Sequence, residues 1–419
     1  MNRFTKKPIL WLLSCGLLVL GACRKTAVQS TSNQITYTTV GSDRLALVPI
    51  NLARQVAMYR PKDSPAINLQ ENLAGATPRS IKSEYTYSGK DGYPNFYVFN
   101  YTDGGFVLIS ADLKVQPVMA FVPKGAWDSR SMPDGVSFWV NKNMQFIDGM
   151  REKNPPIGNY VSRLWSHVLP GIQMPSSPPV GKGGVTTLKN PGSNPCQFQA
   201  WENYYGPLLV TAWGQGCGYN GDCPYDPSGS CSFDLTGCVA TAMAQVAYYW
   251  QRPALYNYGS MPTNMIGGQV NSPALQQLMA NMGADVNMNY GPAESSIPLA
   301  ASGNIATAFT ADMGYATAAY VANSPSFTDI TGNINAGRPI ILLGVDPARG
   351  GHCWVCDGYS VIYNQLVDCS ITSMFAYMHM NWGWGEAGTS NTYIGWYQTF
   401  AAAGFNFTDD LGEIVNIHP

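Results

Sequence analysis

Cys238 is the second residue of the run "GCVATAMAQVAYYW", and His352 opens "HCWVCDGY". A thiol and an imidazole brought together form an ion pair that attacks a carbonyl carbon, the chemistry of acyl transfer. The segment around Cys238 predicts a helix running through Ala240, Met243, Val246 and Tyr248 to Arg252, stopped by Pro253, with Asp234 or Thr236 as its cap. Cys238 then falls in the first turn, where free backbone N–H groups and the positive end of the helix dipole favour thiolate. Gly237 leaves room for a substrate backbone. Taken alone, the segment serves equally well as a core helix that opens on a buried cysteine.

The base must come from four histidines. His418 ends the chain, His167 borders a Pro/Gly/Ser-rich stretch, and His379 alternates with Met378 and Met380 as a structural strand residue would. His352 is the candidate. Gly350 and Gly351 precede it, and a strand there sets His352, Trp354 and Cys356 on one face and Cys353, Val355 and Asp357 on the other. Asn381, in "HMNWGWGE", is placed to accept from a ring N–H, with Trp382 and Trp384 shielding that bond from water. The Cys238 N–H and the Gln215 side-chain amide would complete an oxyanion hole. Cys353 and Cys356 have CxxC spacing but no second CxxC, so neither a metal nor another cofactor is expected.

The elements that carry these residues are distributed unevenly. The N-terminus pairs Arg3, Lys6 and Lys7 with an apolar run from Ile9 to Leu20 and ends in Leu20-Gly21-Ala22-Cys23. This is the pattern of an export signal whose Cys23 is lipidated. Residues 24 to 190 contain strand-like "YPNFYVFNY" and "GGFVLISAD", each with one buried face, and a helical run with Trp139, Met144, Ile147 and Met150 on one side. No catalytic cluster falls there. Residues 169–195 are dense in Pro, Gly and Ser and read as a cleavable linker with Lys182 and Lys189. Residues 191–419 hold the reactive side chains, so the layout is that of a zymogen. Charged residues make up 12% of the chain, against about 25% in an average soluble protein, and the net charge is −2. That balance excludes a nucleic-acid footprint. Cys196, Cys217, Cys223, Cys231, Cys353, Cys356 and Cys369 remain besides Cys238, with disulfides permitted but not assignable from sequence.

Together "WGQGCGYN", "GCVATAMAQVAYYW", "MNYGPAESS", "GGHCWVCDGY" and "NWGWGE" resemble the streptopain family of papain-fold bacterial cysteine peptidases, over roughly residues 205 to 417. The resemblance implies an α+β papain-like fold, a helical part beside an antiparallel sheet, preceded by an inhibitory α+β prodomain. It implies Cys238 as nucleophile, His352 as base and acid, Asn381 as orienter, Gln215 as oxyanion donor and Trp382 as covering aromatic. Ser295 and Ser296, with Gly237 and Gly351, would border the substrate cleft. Cys353 departs from the small apolar residue the family carries there. The expected activity is endopeptidase cleavage of proteins or peptides by an exported, lipid-anchored zymogen. Its partners would be protein substrates, its own prodomain and a membrane. Two other classes suit parts of the pattern: a Cys–His acyltransferase and a non-catalytic surface binding lipoprotein.

Overall fold

The computed structural model describes residues 46–59, 78–130, 132–168, 199–265, 271–322, 325–346, 350–365, 371–385, 392–398 and 412–419. All of these lie in the compact unit Val40–Pro419. The expected signal segment 1–23 with Cys23, the linker 169–195, Cys196 and Cys369 lie outside the described residues.

The N-terminal region begins with helix α1 (Ile50–Met58) and four strands, β1 (Ile81–Ser88), β2 (Pro94–Tyr101), β3 (Phe106–Ser110) and β4 (Val118–Val122). Helices α2 (Asp134–Lys153) and α3 (Asn159–Val168) follow. The C-terminal region contains β5 (Gln199–Tyr205), β6 (Tyr225–Ser230), α4 (Cys238–Trp250), α5 (Pro273–Asp285) and α6 (Gly303–Thr307). It continues with β7 (Thr317–Ala322), α7 (Phe327–Asn335), β8 (Ile340–Asp346), β9 (Gly350–Gln365), β10 (Ile371–Asn381), β11 (Gly395–Gln398) and β12 (Gly412–His418).

All of these strands except β6 form one sheet in the order β1-β2-β3-β4-β11-β10-β9-β8-β12-β7, with β5 also on β9. The two regions meet inside it, because β4 pairs antiparallel with β11 at Trp396↔Phe121 and Tyr397↔Ala120. Strand β9 is long enough to serve two neighbours on one edge: its first half pairs with β8 and its second half with β5. An α+β region therefore precedes helices packed against an antiparallel sheet, as the resemblance implied.

Strands β2 and β3 differ from expectation. Their period-2 pattern predicts one wet face, yet almost every residue is buried. Phe96, Val98, Phe106 and Leu108 enter one apolar cluster beneath α2. Tyr97, Phe99, Val107 and Ile109 enter another beneath α1 and α3. Helices on both faces of a sheet bury both side-chain registers, and Tyr97 and Tyr101 add apolar area to the second cluster.

Helix α2 presents Trp139 and Ile147 to the first cluster, with Met144 and Met150 packed at its edge. It ends at Asn154 in the left-handed conformation, and Arg151 and Lys153 in its last turn complement the dipole. In α4 every residue from Val239 to Ala247 is buried. Its alanines are strong helix formers that let α5 and β9 approach closely.

Candidate active site

Helix α4 starts at Cys238, and its N-cap is Gly237, which has no capping side chain. This corrects the expectation that Asp234 or Thr236 caps it. Thr236 Oγ1 instead lies 3.0 Å from Thr241 Oγ1, inside the helix's first turn. No acidic residue lies in that turn either. The first N–H groups and the positive end of the dipole are therefore left to the site.

Gly237 has φ 85° and ψ 149°, a backbone conformation that L side chains avoid. A Cβ there would lie 2.8 Å from both Met288 Cε and the Ser295 carbonyl oxygen. Backbone conformation and the 288–296 loop thus require this glycine before any substrate arrives. Gly351 is exposed, and a Cβ there would meet nothing closer than 3.8 Å, so its local packing requires no glycine.

Helix α4 packs directly against β9, so the strand bearing His352 faces the helix opened by Cys238. The two-face reading of β9 is seen in the packing. Trp354 and Cys356 enter one cluster, while Cys353 and Val355 enter the other with α4. The CxxC cysteines therefore point to opposite sides of the sheet and cannot share an ion. His352 stacks on Trp354, with ring centroids 5.9 Å apart and planes at 13°.

The imidazole is held differently from the expectation. His352 Nε2 lies 2.9 Å from the backbone carbonyl oxygen of Trp382. Asn381 turns its amide away: Nδ2 donates to the Thr211 carbonyl at 2.7 Å and to Gln245 Oε1 at 2.8 Å, and Oδ1 accepts from Gly383 N–H at 3.3 Å. The expected orienter thus braces the turn, and the neighbouring backbone carbonyl meets the ring. Trp382 is 1% exposed, with its indole 5.1 Å from Trp354 and 5.2 Å, edge to face, from Tyr397. Gly383 has φ 68°, and a Cβ on it would lie 3.2 Å from Thr241 Cγ2, which sets the 381–383 turn one helical turn beyond Cys238.

Gln215 is buried beside the helix start, where its carbonyl accepts from Thr236 N–H at 3.0 Å. Ser295 is buried too, but its hydroxyl is used within its own loop, accepting from Gly291 N–H at 3.0 Å and donating to Gly291 O at 3.3 Å. Ser296 pairs through its backbone with Asn289. Cys217 and Cys231 form a disulfide, with Cα atoms 5.3 Å apart, and Cys217 N–H donates to Ser230 Oγ. Cys223 stays free and buried, and burial raises its thiol to about 12. Burial also raises the Cys353 thiol, and Cys238 packs against the apolar cluster that contains it. His379 is structural: its Nδ1 meets buried Asp357 Oδ1 at 2.6 Å, and Asp357 Oδ2 accepts from Leu209 N–H at 2.8 Å.

One contact had no signal in the sequence. Gly135, in the first turn of α2, lies on the two rings, such that a Cβ there would be 2.5 Å from His352 Cδ2 and 2.4 Å from Trp382 Cε3. Further bonds tie the regions together: Trp139 Nε1–H donates to Gln398 O, Gln398 Nε2–H to Asn143 Oδ1, and Asp128 N–H to Tyr393 Oη.

Residues 213–255 and 254–394 match the Peptidase C10 family. The matched region, residues 213–394, is a cysteine peptidase region of the C10, or streptopain, type. Residues 53–147 of this peptidase chain match the Spi protease inhibitor family. Thiol protease/hemagglutinin PrtT of Porphyromonas gingivalis is 25% identical over 393 residues, covering 84% of this chain. The chain spans only 40% of that relative's length. Streptopain of Streptococcus pyogenes is 23% identical over 380 residues, covering 77% of this chain and 81% of streptopain. Prointerpain A of Prevotella intermedia shares the fold, with a TM-score of 0.52 at 21% identity over 81% of this chain and 98% of that one.

Proposed function

We propose that this chain is an exported, lipid-anchored cysteine endopeptidase made as a zymogen. Residues 1–23 would be its lipoprotein signal, 24–190 its inhibitory prodomain and 191–419 its catalytic domain. One observation carries the reading: Cys238 begins an uncapped, buried helix packed on the strand of His352, whose Nε2 is held by the Trp382 carbonyl.

The chemistry follows from those positions. With Nε2–H on the Trp382 carbonyl, His352 keeps Nδ1 for the Cys238 proton, and the resulting imidazolium is stabilised by the same bond. Thiolate attack on a peptide carbonyl gives a tetrahedral oxyanion facing the Cys238 N–H and the Gln215 amide. His352 then protonates the leaving amine, and a thioester to Cys238 remains. Water activated by His352 hydrolyses the thioester and restores the thiol. The Ser295 carbonyl beside Gly237 borders the approach to the thiol.

Gly135 supports latency. The N-terminal region lays a helix start on the imidazole and on Trp382, where a peptide substrate has to reach. To test the proposal, the full chain would be treated with a peptidyl epoxide before and after a cut within 169–195, and the label mapped. Labelling confined to Cys238 and appearing on cleavage supports the reading. Equal labelling before and after the cut, or peptide hydrolysis that survives Cys238→Ala, refutes it.

A further inference from the structure

Three buried polar side chains from distant parts of the sequence meet behind the site. Thr211, Gln245 and Asn381 are 4%, 0% and 1% exposed. Gln245 lies two turns beyond Cys238 in an otherwise apolar stretch of α4. Its Oε1 accepts from Thr211 Oγ1 at 3.1 Å and from Asn381 Nδ2 at 2.8 Å. Among the described residues its Nε2 has no hydrogen-bond partner. The network therefore uses only the acceptor oxygen of this amide.

What that oxygen holds is the support of the imidazole. Asn381 precedes Trp382, and its Oδ1 takes the N–H of Gly383, so it fixes both sides of the residue whose carbonyl meets His352 Nε2. Thr211 is itself anchored, because its segment is bonded to Asp357 through the N–H groups of Leu208 and Leu209. A primary amide fully buried in an alanine-rich helix is costly unless its hydrogen bonds return the loss. Methionine, of the same length, would fill the space without that cost.

We propose that Gln245 is a positioning residue for the peptidase reaction: through Asn381 it sets the Trp382 carbonyl that orients His352. This rests on the peptidase reading given above. Without the Gln245 acceptor, Asn381 Nδ2 keeps only the Thr211 carbonyl, and the 381–383 turn can shift. The carbonyl then holds Nε2–H less well, the imidazolium is less stabilised, and the Cys238 thiolate forms at higher pH.

The test uses the full chain, cut within 169–195, as wild type, Gln245→Met and Gln245→Glu. Glutamate keeps an oxygen acceptor for both donors; at this fully buried position desolvation keeps it neutral, and its O–H takes the place of the N–H that has no partner. Readouts are kcat and KM for a peptide substrate, the pH dependence of Cys238 alkylation by iodoacetamide, and the thermal midpoint. Gln245→Met is expected to lower kcat by about tenfold to 100-fold with little change in KM. It should also move the alkylation curve up by about 0.5–1 pH unit. Gln245→Glu should recover most of both losses. The proposal is overturned if Gln245→Met keeps the wild-type alkylation curve, even with a lowered midpoint, or if Gln245→Glu fails to recover either property. Should Gln245→Met not fold, Thr211→Val, which removes one bond to Oε1, carries the test: a smaller upward move supports the proposal and an unmoved curve overturns it. Failure of the peptidase reading looks different. There the wild type itself cleaves no peptide, and its Cys238 alkylates like an ordinary thiol.

Discussion

Gly135→Ala adds one methyl group where the N-terminal region meets the rings of His352 and Trp382. The new Cβ would sit 2.4 Å from Trp382 Cε3 and 2.5 Å from His352 Cδ2, over 1 Å inside the ordinary contact of about 3.5–4.0 Å. Neither ring can yield cheaply. Trp382 is wedged between Trp354 and Tyr397, and His352 is bonded to the Trp382 carbonyl and stacked on Trp354. The start of α2 must back away instead, and overpacking of this kind costs about 1–3 kcal/mol. That energy is charged to the docked state alone, so the undocked fraction rises by about 5- to 150-fold. Alanine is also the better helix former, so a weakened α2 cannot account for the change. The assay is the rate at which uncut, full-length chain is labelled at Cys238 by a peptidyl epoxide. The variant should label faster by that factor, and after removal of the N-terminal region it should match wild type, because Gly135 leaves with it. An uncut variant that is folded and labels within twofold of wild type refutes the argument that this contact keeps the site closed.

Other expectations follow from the same packing. At neutral pH iodoacetamide should modify Cys238 well before Cys223, Cys353 and Cys356, because burial raises all three of those thiols and keeps them protonated. Mass mapping that finds any of the three modified as fast as Cys238 contradicts this. Buried Glu413, raised by desolvation to about 8, holds its proton in the folded chain at pH values where the unfolded chain has released it. Stability should therefore fall as pH rises from about 4.5 to about 8. Glu413→Gln should flatten that slope in denaturant titrations at pH 5 and pH 8; an unchanged slope assigns it to other groups. Gly237→Ala should cost about 1–3 kcal/mol through its backbone conformation, with further loss from the Met288 and Ser295 contacts. It should lower both the thermal midpoint and kcat/KM, and a variant with wild-type values would show that the loop yields freely.

Local facts that follow from periodicity and residue chemistry could be read from the order of residues alone. The alanine-rich run after Cys238 could only be a buried helix, and strand alternation alone assigns His352, Trp354 and Cys356 to one face of β9. The motifs around Gln215, Cys238, His352 and Asn381, with "MNYGPAESS" between them, carried the resemblance to the streptopain family. Gln245 was also within reach, as the one long polar side chain in its helix at a spacing that returns to the Cys238 face. Tertiary structure decided what depends on long-range approach. Asn381 is one residue from the carbonyl that holds the imidazole, and strand composition does not reveal which of the two faces the ring. Strand β2 reads as half-exposed because Tyr and Asn are ambiguous between core and surface, and only the helices packed on both faces show that it and β3 are buried throughout. Pairing of Cys217 with Cys231 needed the turn that brings their Cα atoms to 5.3 Å. The continuous sheet through β4 and β11, and Gly135 on the rings of His352 and Trp382, join regions separated by most of the chain. A glycine can announce such a contact only through the side chain it lacks, which becomes legible once the partner surface is in place.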